Sequence, residues 1–160
     1  MIEAGHGNLL TAEVDALVNA VNTAGVMGKG IALEFKRVFP ANFRAYRAAC
    51  GRGEVRVGQV WAFDTGGPGP RRYILNFATK QHWRSPSRLA DIAAGLDSLV
   101  AVVRELDVAS VAIPALGCGN GGLDWADVRP MIEQAGARMP AVRAVVFAPD
   151  GAPEIRGGPR

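Results

Sequence analysis

Short apolar runs alternate along this chain with longer segments whose apolar residues recur three and four positions apart, and few architectures accept that order. The short runs, at residues 2–6, 16–21, 60–64, 73–77, 110–114 and 144–147, carry apolar residues on successive positions, so they read as strands needing cover on both faces. The longer segments, at residues 30–38, 41–50, 88–106 and 125–138, read as helices. The third carries Leu89, Ile92, Ala93, Leu96, Leu99, Val100 and Val103 on one stripe, which is expected to lie on the sheet. An α/β sandwich with helices on both sides of a largely buried sheet follows.

Proline and glycine mark the joints. Pro40 and Gly51-Arg52-Gly53 bracket the second helix, Ser85-Pro86-Ser87 leads into the third, and Gly66-Gly67-Pro68-Gly69-Pro70 reads as an exposed turn between two strands. With 160 residues, 49% of them apolar, the chain closes one core, and residues 1–150 are expected to form one domain. Residues 151–160, rich in Gly, Pro and Arg, are expected to be a linker or tail leading to a further C-terminal domain. No run of 18 apolar residues occurs, and the first residues lack the basic and apolar regions of a secretory signal, so a cytoplasmic protein without membrane contact is expected.

Cys50 and Cys118 stand without Cys-x-x-Cys spacing, and His6 and His82 lie far apart, so free thiols, no bound metal and no cofactor are expected. A net charge of +3 favours an anionic ligand such as a nucleotide or nucleic acid. Lys29, Lys36 and Lys80 are the only lysines in an arginine-rich chain. An amine, unlike a guanidinium, can lose its proton near neutral pH and act as base or nucleophile.

Two glycine-rich loops each follow an expected strand and precede an expected helix: Asn22-Thr23-Ala24-Gly25-Val26-Met27-Gly28-Lys29-Gly30 and Leu116-Gly117-Cys118-Gly119-Asn120-Gly121-Gly122. Glycine lets the backbone approach a ligand and turn successive N–H groups toward it, and a helix start adds a positive dipole end. Either loop alone reads equally well as a plain turn, whereas two of them at strand ends can cradle a diphosphate. Neither matches the Walker A motif or a dinucleotide-binding Gly-x-Gly-x-x-Gly, which speaks against ATPases and dehydrogenases. Asn19 and Asn22 place amides at the end of an apolar strand, where each either holds ribose hydroxyls or caps a loop, the latter favoured for Asn19.

Gly7-Asn8-Leu9-Leu10, then Val18-Asn19-Ala20-Val21-Asn22 with its glycine loop, then Ile113-Pro114-Ala115-Leu116-Gly117-Cys118-Gly119 together resemble the macrodomain signature, in matching order. The resemblance implies a three-layer α/β/α sandwich with a mixed, mostly parallel central sheet, and a site for ADP-ribose. It assigns the diphosphate to Val26, Met27, Gly28, Lys29, Gly30 and Ile31, with Ala32, and to Gly117, Cys118, Gly119, Asn120, Gly121 and Gly122, with Leu123. Asn22, with Asn19, falls beside the distal ribose, and Asn8 with Leu9 beside adenine. Position 8 is usually aspartate in the family, and the amide oxygen of Asn8 is expected to accept from the adenine N6 amine instead.

Gly25–Ala32 and Asn76-Phe77-Ala78-Thr79-Lys80 resemble the lysine-dependent subgroup typified by terminal ADP-ribose glycohydrolase. With His82-Trp83-Arg84 and Gly119–Trp125 they are similar to the macrodomains of bacterial antitoxins that remove ADP-ribose from thymidine in DNA. The resemblance implies a glycohydrolase acting on ADP-ribosylated single-stranded DNA, with Lys80 and Asn22 catalytic and Thr79 in the site. It also implies a partner, the DNA ADP-ribosyltransferase toxin, engaged mostly through the further C-terminal domain, and a monomer. A reader that binds ADP-ribose without cutting it, and a hydrolase acting on protein glutamate, are the competing functions.

Lys80 is expected just past the strand at residues 73–77, on a loop where partial burial and a neighbouring cation such as Arg84 lower its pKa. Attack on the anomeric carbon then competes with simple pairing to phosphate. The subgroup's loop aspartate aligns with Gly121, and Asp124 is expected to cap the helix starting at Trp125. His82, Trp83 and Arg84 interleave aromatic and basic groups beside Lys80, suited to stacking an unpaired base, unless Trp83 only covers the next helix.

Overall fold

The computed structural model describes residues 1–150. The strands are β1 (Ile2–Ala4), β2 (Ala16–Asn22), β3 (Val60–Asp64), β4 (Tyr73–Lys80), β5 (Ser110–Ile113) and β6 (Arg143–Val146); the helices are α1 (Gly30–Val38), α2 (Pro40–Gly51), α3 (Leu89–Leu106) and α4 (Trp125–Ala137). One sheet in the order β1-β6-β5-β2-β4-β3 runs parallel except at β3, which pairs antiparallel with β4. The glycine- and proline-rich turn between those two strands is a hairpin connection. The linker expected at residues 151–160 lies outside the described residues. Among the described residues, no helix is long and apolar enough to cross a membrane.

Side chains of successive strand residues leave opposite faces, so each apolar run feeds two layers. Val18, Leu75, Phe77, Val111 and Ile113 meet Ile92, Leu96 and Leu99 of α3 and Val128 and Ile132 of α4. Leu17, Ile74 and Val145 meet Phe35 of α1 together with Leu9 and Leu10, which sit on a short 3-10 turn that sequence periodicity does not show. Val21 and Ala78 meet Tyr46 and Ala49 of α2. The α3 stripe differs from expectation at its edges. Leu89 is 39% exposed and Ala93 is exposed, whereas Gly95 lies against the Phe77 ring, where any Cβ would overlap it.

Two features aim the chain toward the C-terminal ends of the parallel strands. β4 extends three residues beyond the apolar run and ends on Lys80, so this lysine is the last strand residue and not part of a loop. The register between β2 and β4 shifts at Val21/Asn22, leaving Asn22 opposite Lys80 and Thr79 as the extra residue of a bulge. Beneath this bulge a buried amide network joins β2, β4 and α2: Asn19 and Asn42 both donate to Asn76 Oδ1 at 3.3 Å, and Asn76 donates back to Asn42 Oδ1 at 2.9 Å.

Candidate functional site

The two glycine loops, the 3-10 turn and the ends of β2, β4, β5 and β6 surround a cleft of about 870 Å³. Its position, outside the carboxyl ends of parallel strands, is where open α/β sheets take ligands, and its size suits a dinucleotide-like molecule.

The first loop is shaped by Asn22. Its Nδ2 donates to the Val26 carbonyl at 2.8 Å, while its Oδ1 accepts from the Ala24 and Val26 N–H groups and from the Tyr46 hydroxyl. Tyr46 also donates to the Asn22 carbonyl at 2.6 Å. An amide carries two donors, so one Nδ2–H of Asn22 is left to face the cleft that the residue lines. The loop runs through Gly25, at φ 84°, to Gly28, Lys29 and Gly30 at the start of α1. Val26, Gly28, Lys29, Gly30, Ile31 and Ala32 line the cleft; Met27 does not, being 1% exposed against Tyr46.

The second loop is shaped by its backbone. Gly117 takes φ 74° and its carbonyl accepts from Leu123 N–H at 2.9 Å. Gly117, Gly119, Asn120 and Gly121 line the cleft. Cys118 points away, with its thiol donating to the Leu116 carbonyl; Gly122 and Leu123 also lie outside the lining. Burial, then the Asp124 charge, pushes the Cys118 thiol up to about 11, so it supplies no thiolate near neutral pH. Asp124 caps α4, its Oδ1 accepting from Ala126 N–H at 3.0 Å. At Gly121 a Cβ would overlap Ser87 Oγ and the Gly117 carbonyl, so the acid of the lysine-dependent subgroup cannot stand there.

Thr79 and Lys80 form the wall between the loops. Burial lowers the pKa of Lys80 from the ordinary lysine value, and the positive charge of Lys29 lowers it further. That neighbour is Lys29 of the first loop, not Arg84 as the sequence order suggested. Arg84 lies outside the cleft, over the indole of Trp83 with its guanidinium carbon 6.0 Å from the ring centroid. His82 stacks on Trp83 at 3.7 Å between centroids. Of these three, Trp83 lines the cleft and is 40% exposed, so it is not packed away as a helix cover.

Asn19 is corrected by the structure. It is fully buried in the amide network, donating to Asn76, and neither lines the cleft nor caps a loop. Asn8 and Leu9 do line it, but the Asn8 Oδ1 already accepts from Leu10 N–H at 3.1 Å, capping the 3-10 turn. Sequence reasoning also missed Phe147, Glu34 and Ser87, all on the cleft wall. Phe147 follows a parallel strand, and the rule placing ligands at strand ends points to it. Glu34 and Ser87 give no signal without the fold.

Among the described residues, no group of three His, Cys, Asp or Glu side chains is placed to hold a metal ion.

The geometry finds close counterparts. A family model described as "Macro domain" matches residues 18–132. A protein of Mycobacterium tuberculosis named DNA ADP-ribosyl glycohydrolase is 55% identical over 151 residues, covering 94% of this chain and 43% of the relative. The chain thus spans less than half the length of that relative. The solved macrodomain of Mycobacterium tuberculosis DarG superposes with a TM-score of 0.92 at 55% identity, covering 94% of this chain and 99% of that one. Thermosipho africanus DarTG, solved in complex with ADP-ribose, superposes with a TM-score of 0.86 at 29% identity over 92% of this chain and 41% of that one. Family match, identity and superposition agree that this chain belongs to the Macro domain family, as a macrodomain of the DarG type.

Proposed function

We propose that this macrodomain binds ADP-ribose in the cleft and removes it from modified thymidine in single-stranded DNA, with Lys80 as the catalytic amine. The observation that carries the reading is the delivery of Lys80 into the cleft by the β4 bulge, opposite Asn22, with its pKa lowered by burial and by Lys29. A group that only paired with phosphate would gain nothing from a weakened positive charge. The likeness to a protein solved with ADP-ribose supports the ligand, and the name of the Mycobacterium tuberculosis relative supports the DNA substrate.

The two glycine loops, with Lys29 between them and the α1 start, hold the diphosphate. The remaining amide proton of Asn22 meets the distal ribose. The neutral amine of Lys80 attacks the anomeric carbon of that ribose as its bond to the base breaks, and the electron pair departs with the base, which takes up a proton. Water then displaces the lysine, releasing ADP-ribose and restoring the amine. A nucleobase leaves as a delocalised anion, so the absence of a carboxylate at position 121 is compatible with the chemistry. Trp83, backed by His82 and flanked by Arg84, offers an exposed indole on which a neighbouring unpaired base can stack. The toxin that installs the mark is the expected partner.

The test compares two substrates under single turnover: a single-stranded oligonucleotide carrying ADP-ribose on thymidine, and a protein carrying it on glutamate. Faster release from the oligonucleotide by about 100-fold or more supports the reading. Preferential release from protein contradicts it and leaves a protein-directed hydrolase; tight binding with no release from either leaves a reader.

A further inference from the structure

The cleft is electrically polarised along its length. Lys29 and Lys80 stand where the glycine loops meet, whereas the apolar slot formed by Leu9, Ile31 and Phe147 is bordered by an exposed carboxylate, Glu34. Glu34 lies three residues after Ile31 on α1, hence on the same helix face, and it has no hydrogen bond or ion pair among the described residues. A negative charge in a cleft that takes a diphosphate repels its ligand unless it meets a donor.

The other polar side chain at that end is Asn8. Its oxygen is engaged by Leu10 N–H, which turns its Nδ2 donors outward. Asn8 and Glu34 together therefore present a donor and an acceptor around a flat apolar slot. Adenine offers the complementary pair on one edge, an acceptor at ring nitrogen N1 and a donor at the N6 amine. Hypoxanthine offers the reverse, a donor at N1 and an acceptor at O6, and its carbonyl would face a carboxylate that can only accept.

We propose that Glu34 is the residue that selects adenine in this cleft, accepting from the N6 amine while Asn8 donates to N1. This deepens the ADP-ribose reading above and rests on it. The same arrangement fixes which way the ligand lies, with its base at the carboxylate end and its diphosphate and distal ribose at the lysine end.

The test is calorimetric titration of the intact chain with free ADP-ribose and with the same molecule carrying hypoxanthine in place of adenine. The intact protein is expected to favour ADP-ribose by roughly tenfold, the scale of one hydrogen bond to a charged group. Glu34→Gln, whose amide can turn either its oxygen or its nitrogen to the ligand, should bring the two affinities within about twofold of each other. Because Glu34 is exposed on a helix, the variant should melt within about a degree of the parent. Equal affinities in the intact protein, or a preference that survives Glu34→Gln, overturns the assignment. No binding of either compound by the intact protein overturns the ADP-ribose reading itself, a result distinguishable from the other two.

Discussion

The two glycine loops reach the same cleft by opposite constructions. The loop between β2 and α1 is organised by one side chain, because Asn22 gathers two backbone N–H groups, one carbonyl and the Tyr46 hydroxyl. The loop between β5 and α4 is organised by the absence of side chains: Gly117 takes a left-handed conformation, and both Gly117 and Gly121 lie where a Cβ would strike neighbours. Its outer support is Ser87, whose N–H donates to the Gly121 carbonyl at 3.0 Å while its hydroxyl is buried without a partner. A loop held by a side chain fails when that side chain is removed. A loop held by glycine fails when a side chain is added.

The largest structural effect is therefore expected from Asn22→Ala. It orphans the Val26 carbonyl and the Tyr46 hydroxyl, and it should cost about 2–4 kcal/mol in urea unfolding, with ADP-ribose binding lost as the first loop opens. A variant that keeps both stability and affinity would show that the loop is not held this way. Gly121→Asp, which restores the acid of the lysine-dependent subgroup, should instead cost about 1–3 kcal/mol through overlap with Ser87 and should not accelerate release. A folded and faster variant would refute the glycine account of the second loop.

Two smaller effects separate the segments attached to each loop. Trp83 lies on the segment that carries Ser87 to the second loop. Trp83→Ala should raise KM for a modified oligonucleotide about tenfold and leave KM for the isolated modified nucleotide nearly unchanged, consistent with the loss of one stacked base. Lys29 belongs to the first loop, and its charge depresses the Lys80 pKa after burial has done so. Activity that needs the neutral amine rises with pH through that lowered pKa. Removing the Lys29 charge in Lys29→Gln raises the Lys80 pKa, so the rising limb of the pH–kcat profile should move upward and the rate at neutral pH should fall a few-fold. A limb that stays in place would remove Lys29 from the account.

The asymmetry between the loops also explains what the sequence revealed. Strand runs, helix stripes, both glycine loops, the Asp124 cap and Lys80 are local patterns, and each lies in the structure within a few residues of its expected place. Asn22 was legible as a site residue because an amide beside a glycine loop is a local signal. Its neighbour Asn19 carries the same signal, yet a one-register difference on a strand turns it into the core, and only the positions of Asn42 and Asn76 reveal that. The bulge that turns Lys80 from a loop residue into the end of β4 depends on pairing with β2, 58 residues earlier, as the Thr79 hydroxyl bond to the Val21 carbonyl illustrates. Ser87, Glu34 and Phe147 enter the cleft through tertiary packing alone.

The central claim is that Lys80 breaks the bond between ADP-ribose and DNA rather than only holding the ligand. Release of free ADP-ribose from a modified thymidine oligonucleotide should be followed for the intact protein and for Lys80→Ala, with calorimetry of ADP-ribose binding to both. The account predicts that the substitution slows release by about 1,000-fold or more while affinity changes less than about tenfold. Release that persists in Lys80→Ala, or that falls only in proportion to lost binding, would contradict it.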